Sequence, residues 1–172
     1  ANNSMYAINM MMNQGYKTLQ GFTVTGVNTL SNSSALMCYQ SQNVTFRDIV
    51  CRDNTTDYMP GHAFEGGKNV FYDNVRILNN TGTAWYGGME YEGEDVTFEN
   101  CVFEGNSSGA EDDDGTIVAL FCDYIRGDCI VRNCTFRNNT GIGDDLYSYI
   151  AAFAVNPQYD EDARIIIENN LF

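Results

Sequence analysis

Glu99-Asn100-Cys101-Val102-Phe103-Glu104-Gly105-Asn106-Ser107 recurs as Arg132-Asn133-Cys134-Thr135-Phe136-Arg137-Asn138-Asn139-Thr140. A short apolar alternation precedes each copy: Val96 and Phe98 before the first, Cys129 and Val131 before the second. Alternate residues of an extended chain share a face, so each pair points the same way. The alternation breaks at a polar pair and resumes with Cys101 and Phe103. This reads as a strand, a sharp bend and a second strand, both facing one interior.

The pattern extends in both directions from this stretch. It covers residues 19–27, 44–54, 70–80, 96–106, 129–139 and 165–172. The equivalent positions are Val24, Cys51, Ile77, Phe103, Phe136 and Phe172, spaced 27, 26, 26, 33 and 36 residues apart. Irregular periods of this size indicate a solenoid whose coils share a core and carry loops of different length. A third strand per turn is expected from residues 35–38, 63–64, 85–86 (Trp85-Tyr86), 117–122 and 149–155. The expectation is an all-β parallel β-helix of about six coils, one domain over residues 1–172, with no cap at either end. Helical periodicity is absent, which argues against crossover helices.

The bend residues are Asp48, Asn74, Asn100, Asn133 and Asn169, with Gly21 in the first copy. These types tolerate a left-handed backbone. Stacked from coil to coil, their amides are expected to form a hydrogen-bonded ladder. A second column, Asn3, Asn54, Asn80, Asn106 and Asn139, each followed by Ser or Thr, is expected to close the next turn.

With these repeats in place, the sequence resembles the right-handed parallel β-helix proteins of the pectin-lyase-like superfamily. Phe103-Glu104-Gly105-Asn106 and Phe136-Arg137-Asn138-Asn139 look like the Phe-x-x-Asn repeats of chlamydial polymorphic outer-membrane proteins and related bacterial and algal surface proteins. The resemblance implies a fold shared with polysaccharide lyases and glycosidases. Lyases of that superfamily hold Ca²⁺ with acidic clusters and abstract a proton with Arg or Lys. The candidate carboxylates are Glu65, Glu90, Glu92, Glu94, Asp112, Asp113, Asp114 and Asp123, with Arg126 the nearest base. These acidic runs sit beside Gly and read as solvated loops, so no residue is assigned a catalytic, cofactor or metal role. The single His62 follows Pro60 and Gly61, which suggests a turn. No phosphate loop or dinucleotide fingerprint is present.

Composition narrows the classes further. The chain has 172 residues, 44% of them hydrophobic, and a net charge of −14. No Lys/Arg run exists, so nucleic acid is not an expected partner. The longest apolar run, residues 149–155, is far too short to span a bilayer, so membrane insertion is not expected. The acidity favours solubility, or a polyanion that collects Ca²⁺. The Met-rich start lacks a basic segment and a cleavage site, so any export signal is expected to be gone already.

Six cysteines without CxxC spacing fit disulfides in an oxidising compartment. Cys101 and Cys134 occupy one position on adjacent coils, about 4.8 Å apart, and are expected to bridge. Cys122 and Cys129 bracket a tight loop, and Cys38 and Cys51 share one coil. The alternative is reduced cysteines packed in the core. N-glycosylation sequons begin at Asn2, Asn32, Asn43, Asn54, Asn79, Asn106, Asn133 and Asn138, which points either to a secreted or cell-surface glycoprotein or to turn motifs rich in Asn-Asn-Thr that create sequons on their own. Asn32 and Asn43 lie outside both asparagine columns and are favoured over Asn106.

Residues 168–172 followed by 1–4 reproduce the repeat across a head-to-tail join. The expected partner is therefore the chain itself, stacked head to tail into an extracellular filament or tandem array. Asn3, Leu19, Val24, Ile165, Ile167 and Phe172 are the expected junction. The competing expectation is a protein that binds or cleaves an acidic polysaccharide.

Overall fold

The computed structural model describes residues 8–11, 15–29, 33–83, 86–109, 116–141, 150–157 and 163–172. All regular elements among them are β-strands. The first rung holds β1 (Ile8–Met11), β2 (Lys17–Gln20) and β3 (Thr23–Thr25). The second holds β4 (Ser34–Tyr39), β5 (Gln42–Arg47), β6 (Val50–Arg52) and β7 (Thr55–Thr56). In the next rungs the first two strands fuse: β8 (Met59–Asp73), β9 (Arg76–Leu78) and β10 (Thr81–Gly82), then β11 (Met89–Glu99), β12 (Val102–Glu104) and β13 (Ser107–Ser108). β14 (Thr116–Arg132), β15 (Thr135–Arg137) and β16 (Thr140–Gly141) follow, and β17 (Ile150–Pro157) and β18 (Arg164–Glu168) complete the described strands.

All pairings are parallel and join one rung to the next. A nine-stranded sheet runs β1-β4-β8-β11-β14-β17, with β18 on β14 and β5 joining β2 to β8. A five-stranded sheet runs β15-β12-β9-β6-β3, and a four-stranded sheet β16-β13-β10-β7. Together they are the three faces of a parallel β-helix.

The repeat register expected from the sequence is the observed one. Val24 pairs with Cys51, Cys51 with Ile77, Ile77 with Phe103, and Phe103 with Phe136. These side chains are buried and form one core column. Phe103 and Phe136 stack at 4.8 Å, and Phe172 continues the stack on Phe136 at 5.0 Å. A second aromatic column, Phe46-Tyr72-Phe98, stacks at 4.8 and 4.6 Å with ring planes 7° apart. The rung repeat places these rings face to face, and each buries a large apolar area.

The bend column is also as expected. Asp48, Asn74, Asn100, Asn133 and Asn169 have φ of 52°, 52°, 56°, 54° and 54°, and Gly21 has 73°. The continuous ladder, however, belongs to the other column. Asn54 Nδ2 donates to Asn80 Oδ1, Asn80 Nδ2 to Asn106 Oδ1, and Asn106 Nδ2 to Asn139 Oδ1, each at 3.0 Å. Each of the three acceptors also takes the backbone N–H of the preceding asparagine. The bend amides bond across exposed carboxylates instead, Asn74 to Asp48 and Asn100 to Asp73. The cause is burial: Asn54, Asn80 and Asn106 are sealed from water, so their polar atoms must find partners inside the protein.

Three further expectations change. Tyr86 lies outside the strands and Trp85 outside the described residues; the rung partner of Ala63-Phe64 is Glu90-Tyr91. Gly87 and Gly88 pass so close under the next rung that a Cβ on Gly87 would meet Val118 O at 2.7 Å, so the chain enters the sheet only after them. His62, with Pro60 and Gly61, lies inside β8 rather than in a turn, and is buried. Its Nδ1–H donates to Leu36 O at 2.8 Å, which leaves Nε2 to accept from Tyr72 Oη at 3.0 Å.

The six cysteines are all buried free thiols, so none of the expected bridges forms in this structure. Parallel stacked strands point equivalent side chains the same way rather than at each other. Cys101 and Cys134 Sγ each turn to a carbonyl of their own rung at 3.3 Å, and Cys134 Sγ accepts the Cys101 N–H. Burial pushes Cys38 and Cys51 up to about 12, so both stay protonated.

Candidate functional site

The outer surface carries a charge pattern set by the rung repeat. Outward residues of successive rungs stand beside one another, so each charge meets whatever the next rung places there. Over most of the surface it meets its opposite. Arg47 pairs with Asp73 at 3.0 Å, Lys68 with Glu94 at 2.7 Å, Arg132 with Glu99 at 3.2 Å, Arg137 with Glu104 at 2.8 Å, and Arg164 with Asp128.

One column departs from this rule. Glu92 stands in register with Asp123, and the neighbouring rung of the same face presents Glu65. Glu90 projects from the same face of β11 two residues earlier. Among the described residues no ion pair includes Glu65, Glu90, Glu92 or Asp123. The acidic run expected in a loop is therefore strand, with alternate carboxylates directed outward.

Loops turn this column into a groove of about 420 Å³ lined by Asp57, Tyr58, Tyr86, Glu90, Glu92, Asp123 and Tyr124. Asp57 and Tyr58 follow β7, Tyr86 precedes β11, and Asp123 and Tyr124 belong to β14. Glu90 is 5% exposed and Tyr58 Oη donates to its Oε2 at 2.7 Å. Burial, opposed by that hydrogen bond and reinforced by Glu65, Asp123 and Glu92, pushes the Glu90 carboxyl up to about 7. Burial raises Glu65 and Glu92 as well, and Arg126 partly offsets the rise at Glu92. Tyr58 is pushed upward by burial and by Glu90. Asp123 Oδ1 accepts from the Tyr124 N–H at 2.9 Å and from Asn156 Nδ2 at 2.7 Å.

Of the carboxylates singled out from sequence, the fold gathers Glu65, Glu90, Glu92 and Asp123. It turns Glu94 away to Lys68, in register with Arg126. Asp112, Asp113 and Asp114 lie outside the described residues. Among the described residues no three His, Cys, Asp or Glu side chains are placed to hold a metal ion, so the Ca²⁺ expectation gains no site there. Sequence reasoning missed Asp57 and Tyr58. An available signal was an aromatic a few residues past the closing Thr in successive rungs: Tyr58 after Thr55-Thr56, and Tyr86 after Thr81.

A second feature is the last rung. β18 pairs with β14 along one edge. Ile165, Ile167, Leu171 and Phe172 are 38%, 49%, 61% and 66% exposed, although Phe172 occupies the core column. At the other end Leu19 is half-buried and Val24 buried; Asn3 lies outside the described residues.

The asparagines of the sequons divide by exposure. Asn79, Asn133 and Asn138 are exposed and Asn43 is half-buried. Asn54 and Asn106 are fully buried in the ladder, where the fold leaves no room for a glycan. Asn2 and Asn32 lie outside the described residues.

Residues 6–172 match the family described as "Right handed beta helix region". The chain belongs to the right-handed β-helix family. No curated protein and no solved structure matches it. Family membership accounts for the parallel rungs.

Proposed function

We propose that this β-helix is a structural unit of an extracellular fibre, stacking head to tail on copies of itself. The observation that carries this is the position of Phe172. It continues the Phe103–Phe136 stack beside Ile165, Ile167 and Leu171, so the core column runs unbroken to this position. The sequence supplies the complement, because residues 168–172 followed by 1–4 reproduce the internal repeat. In the junction Phe172 holds the place of Phe103, and Asn3 of the next copy takes the ladder place of Asn106. Ile165 and Ile167 then meet the rung carrying Leu19 and Val24. A heterologous contact of this kind does not close and grows into a filament. Separate subunits and copies joined in one polypeptide are both served by it. N-linked glycans are proposed on Asn79, Asn133 and Asn138, which face away from the stacking axis; intact mass equal to the bare polypeptide would refute this.

Electron microscopy of the native material tests the stacking. Filaments are expected, and Phe172→Asp should stop elongation while the rungs between Val44 and Asn139 stay folded. Discrete particles from the unmodified chain, or side-by-side association only, would remove the proposal.

The groove favours a second reading, a polysaccharide-binding or polysaccharide-cleaving β-helix. Tyr58, Tyr86 and Tyr124 offer flat faces to sugar rings beside Glu90 and Asp123. A carboxyl pushed up to about 7 is suited to donate a proton to a leaving group, with the Asp123 carboxyl in the same groove. Reducing-end release from glycans by the wild type, abolished in Glu90→Gln, would support cleavage. Binding without release would leave a lectin-like role.

A further inference from the structure

We infer that the groove takes a positively charged amino sugar, a glycan unit bearing a free protonated amine. The proposal rests on the groove being a glycan site and names the chemistry of that glycan. Five cross-rung carboxylates elsewhere on the surface each face an Arg or Lys of the adjacent rung. The groove column faces carboxylates instead, and stacked like charges are destabilising. Locally costly arrangements of this kind concentrate at binding and catalytic sites.

One further observation points to a missing cation. Glu90 is 5% exposed, and among the described residues Tyr58 is its one hydrogen-bond partner, at Oε2. A donor with several N–H groups can bond the remaining oxygen and reach Glu92 or Asp123 as well, and an ammonium carries three.

The rest of the lining selects the body that carries the ammonium. A bare metal ion is a poor match, because no three ligating side chains converge among the described residues. Tyr58, Tyr86 and Tyr124 supply faces that attract both an ammonium and the apolar face of a sugar ring. The volume of about 420 Å³ lies within the range of small-ligand pockets. An acidic polysaccharide, by contrast, would bring further negative charge to Glu90, Glu92 and Asp123.

Calorimetric titration of the whole chain with four hexamers tests this: β-1,4-linked glucosamine, its fully N-acetylated counterpart, oligogalacturonate and hexalysine. The glucosamine hexamer should bind about tenfold or more tightly than the acetylated one, because acetylation removes the charge and a charge-assisted hydrogen bond. Glu90→Gln and the half-buried Glu92→Gln should each weaken it by about tenfold. Glu99→Gln, outside the groove, should not, and melting curves check that each variant is folded. Equal binding of acetylated and free-amine hexamers would overturn the proposal and leave the glycan reading intact. Tighter binding of oligogalacturonate would do the same. Binding of hexalysine alone, or of none of the four, would overturn both.

Discussion

The asparagine column inside the solenoid and the acidic column on its surface are made by the same operation. In both, one residue type is repeated from rung to rung and its neighbours are fixed by register. An amide is donor and acceptor at once, so Asn54, Asn80, Asn106 and Asn139 satisfy one another, and the column closes on itself. A carboxylate only accepts, so Glu65, Glu92 and Asp123 cannot. Stacking identical residues therefore stabilises a solenoid where the side chain complements itself. Elsewhere it leaves a demand that an opposite charge on the next rung, or a ligand, has to meet.

The largest effect is expected from breaking the inner column. Asn80→Leu removes the acceptor of two Asn54 donors and the donors to Asn106 Oδ1 and Cys51 O. With several buried groups orphaned, the loss should be about 3–5 kcal/mol. Phe103→Ala, in the neighbouring apolar column, should cost about 3–5 kcal/mol by cavity formation. Asn74→Ala, in the exposed bend column, should cost only about 1 kcal/mol, from the left-handed backbone. Urea melts rank the three. An Asn80 variant as stable as the Asn74 variant would show that the ladder is not what holds the rungs.

The acidic column should reveal itself through pH. Glu90 has a folded value of about 7, above its usual 4.5. Between those values the folded state holds a proton that the unfolded state has released, so stability falls as pH rises through the window. His62 is lowered by burial to about 4 from 6.5. There the unfolded state binds the proton, so stability rises as pH goes from 4 to 6.5. Each shift corresponds to roughly 3 kcal/mol across its window. Their opposite signs should leave the wild type nearly flat between pH 4.5 and 6.5 with respect to these two groups. Glu90→Gln should unmask the His62 slope, giving a protein less stable at pH 4.5 than at 6.5. Parallel wild-type and Glu90→Gln profiles would mean that Glu90 titrates normally and the groove is wet.

What the sequence revealed and what it hid follow from how each feature is encoded. The core column from Val24 to Phe136 was legible because one apolar position recurs beside one bend residue, and a bend at positive φ selects Asn, Asp or Gly. The ladder was assigned to the wrong asparagines because both columns share the same residue type, and only burial distinguishes Asn106 from Asn100. The groove was not legible because its members come from different rungs joined by loops of unequal length. Register shifts between Glu92 and Glu94, and between Glu94 and Val96, also break the simple repeat there. His62 was misread because Pro60 and Gly61 are turn residues by type. In β8, a Cβ on residue 61 would meet Gly88 O at 2.6 Å, so that glycine is needed for close rung packing instead.

The smallest predicted effect is also the sharpest test of the comparison, because it is one of sign. Glu94 and Glu92 lie two residues apart on β11. Glu94 meets the Lys68 ammonium at 2.7 Å; Glu92 meets Glu65 and Asp123. Both are partly exposed, so neither interaction is strong and both are screened by salt. Glu94→Gln removes an attraction and should lower stability by about 0.5 kcal/mol. Glu92→Gln removes two repulsions and one weaker, opposing attraction to Arg126, and should raise it by a smaller amount at neutral pH and low salt. The two shifts in melting temperature should therefore be opposite, and should shrink together as salt is added. At low pH the Glu92 gain should vanish first, because its neighbours Glu65 and Glu90 take up protons above the usual carboxylate range. If both variants lose stability equally, the acidic column is as well satisfied as the paired one, and its demand for an external cation disappears.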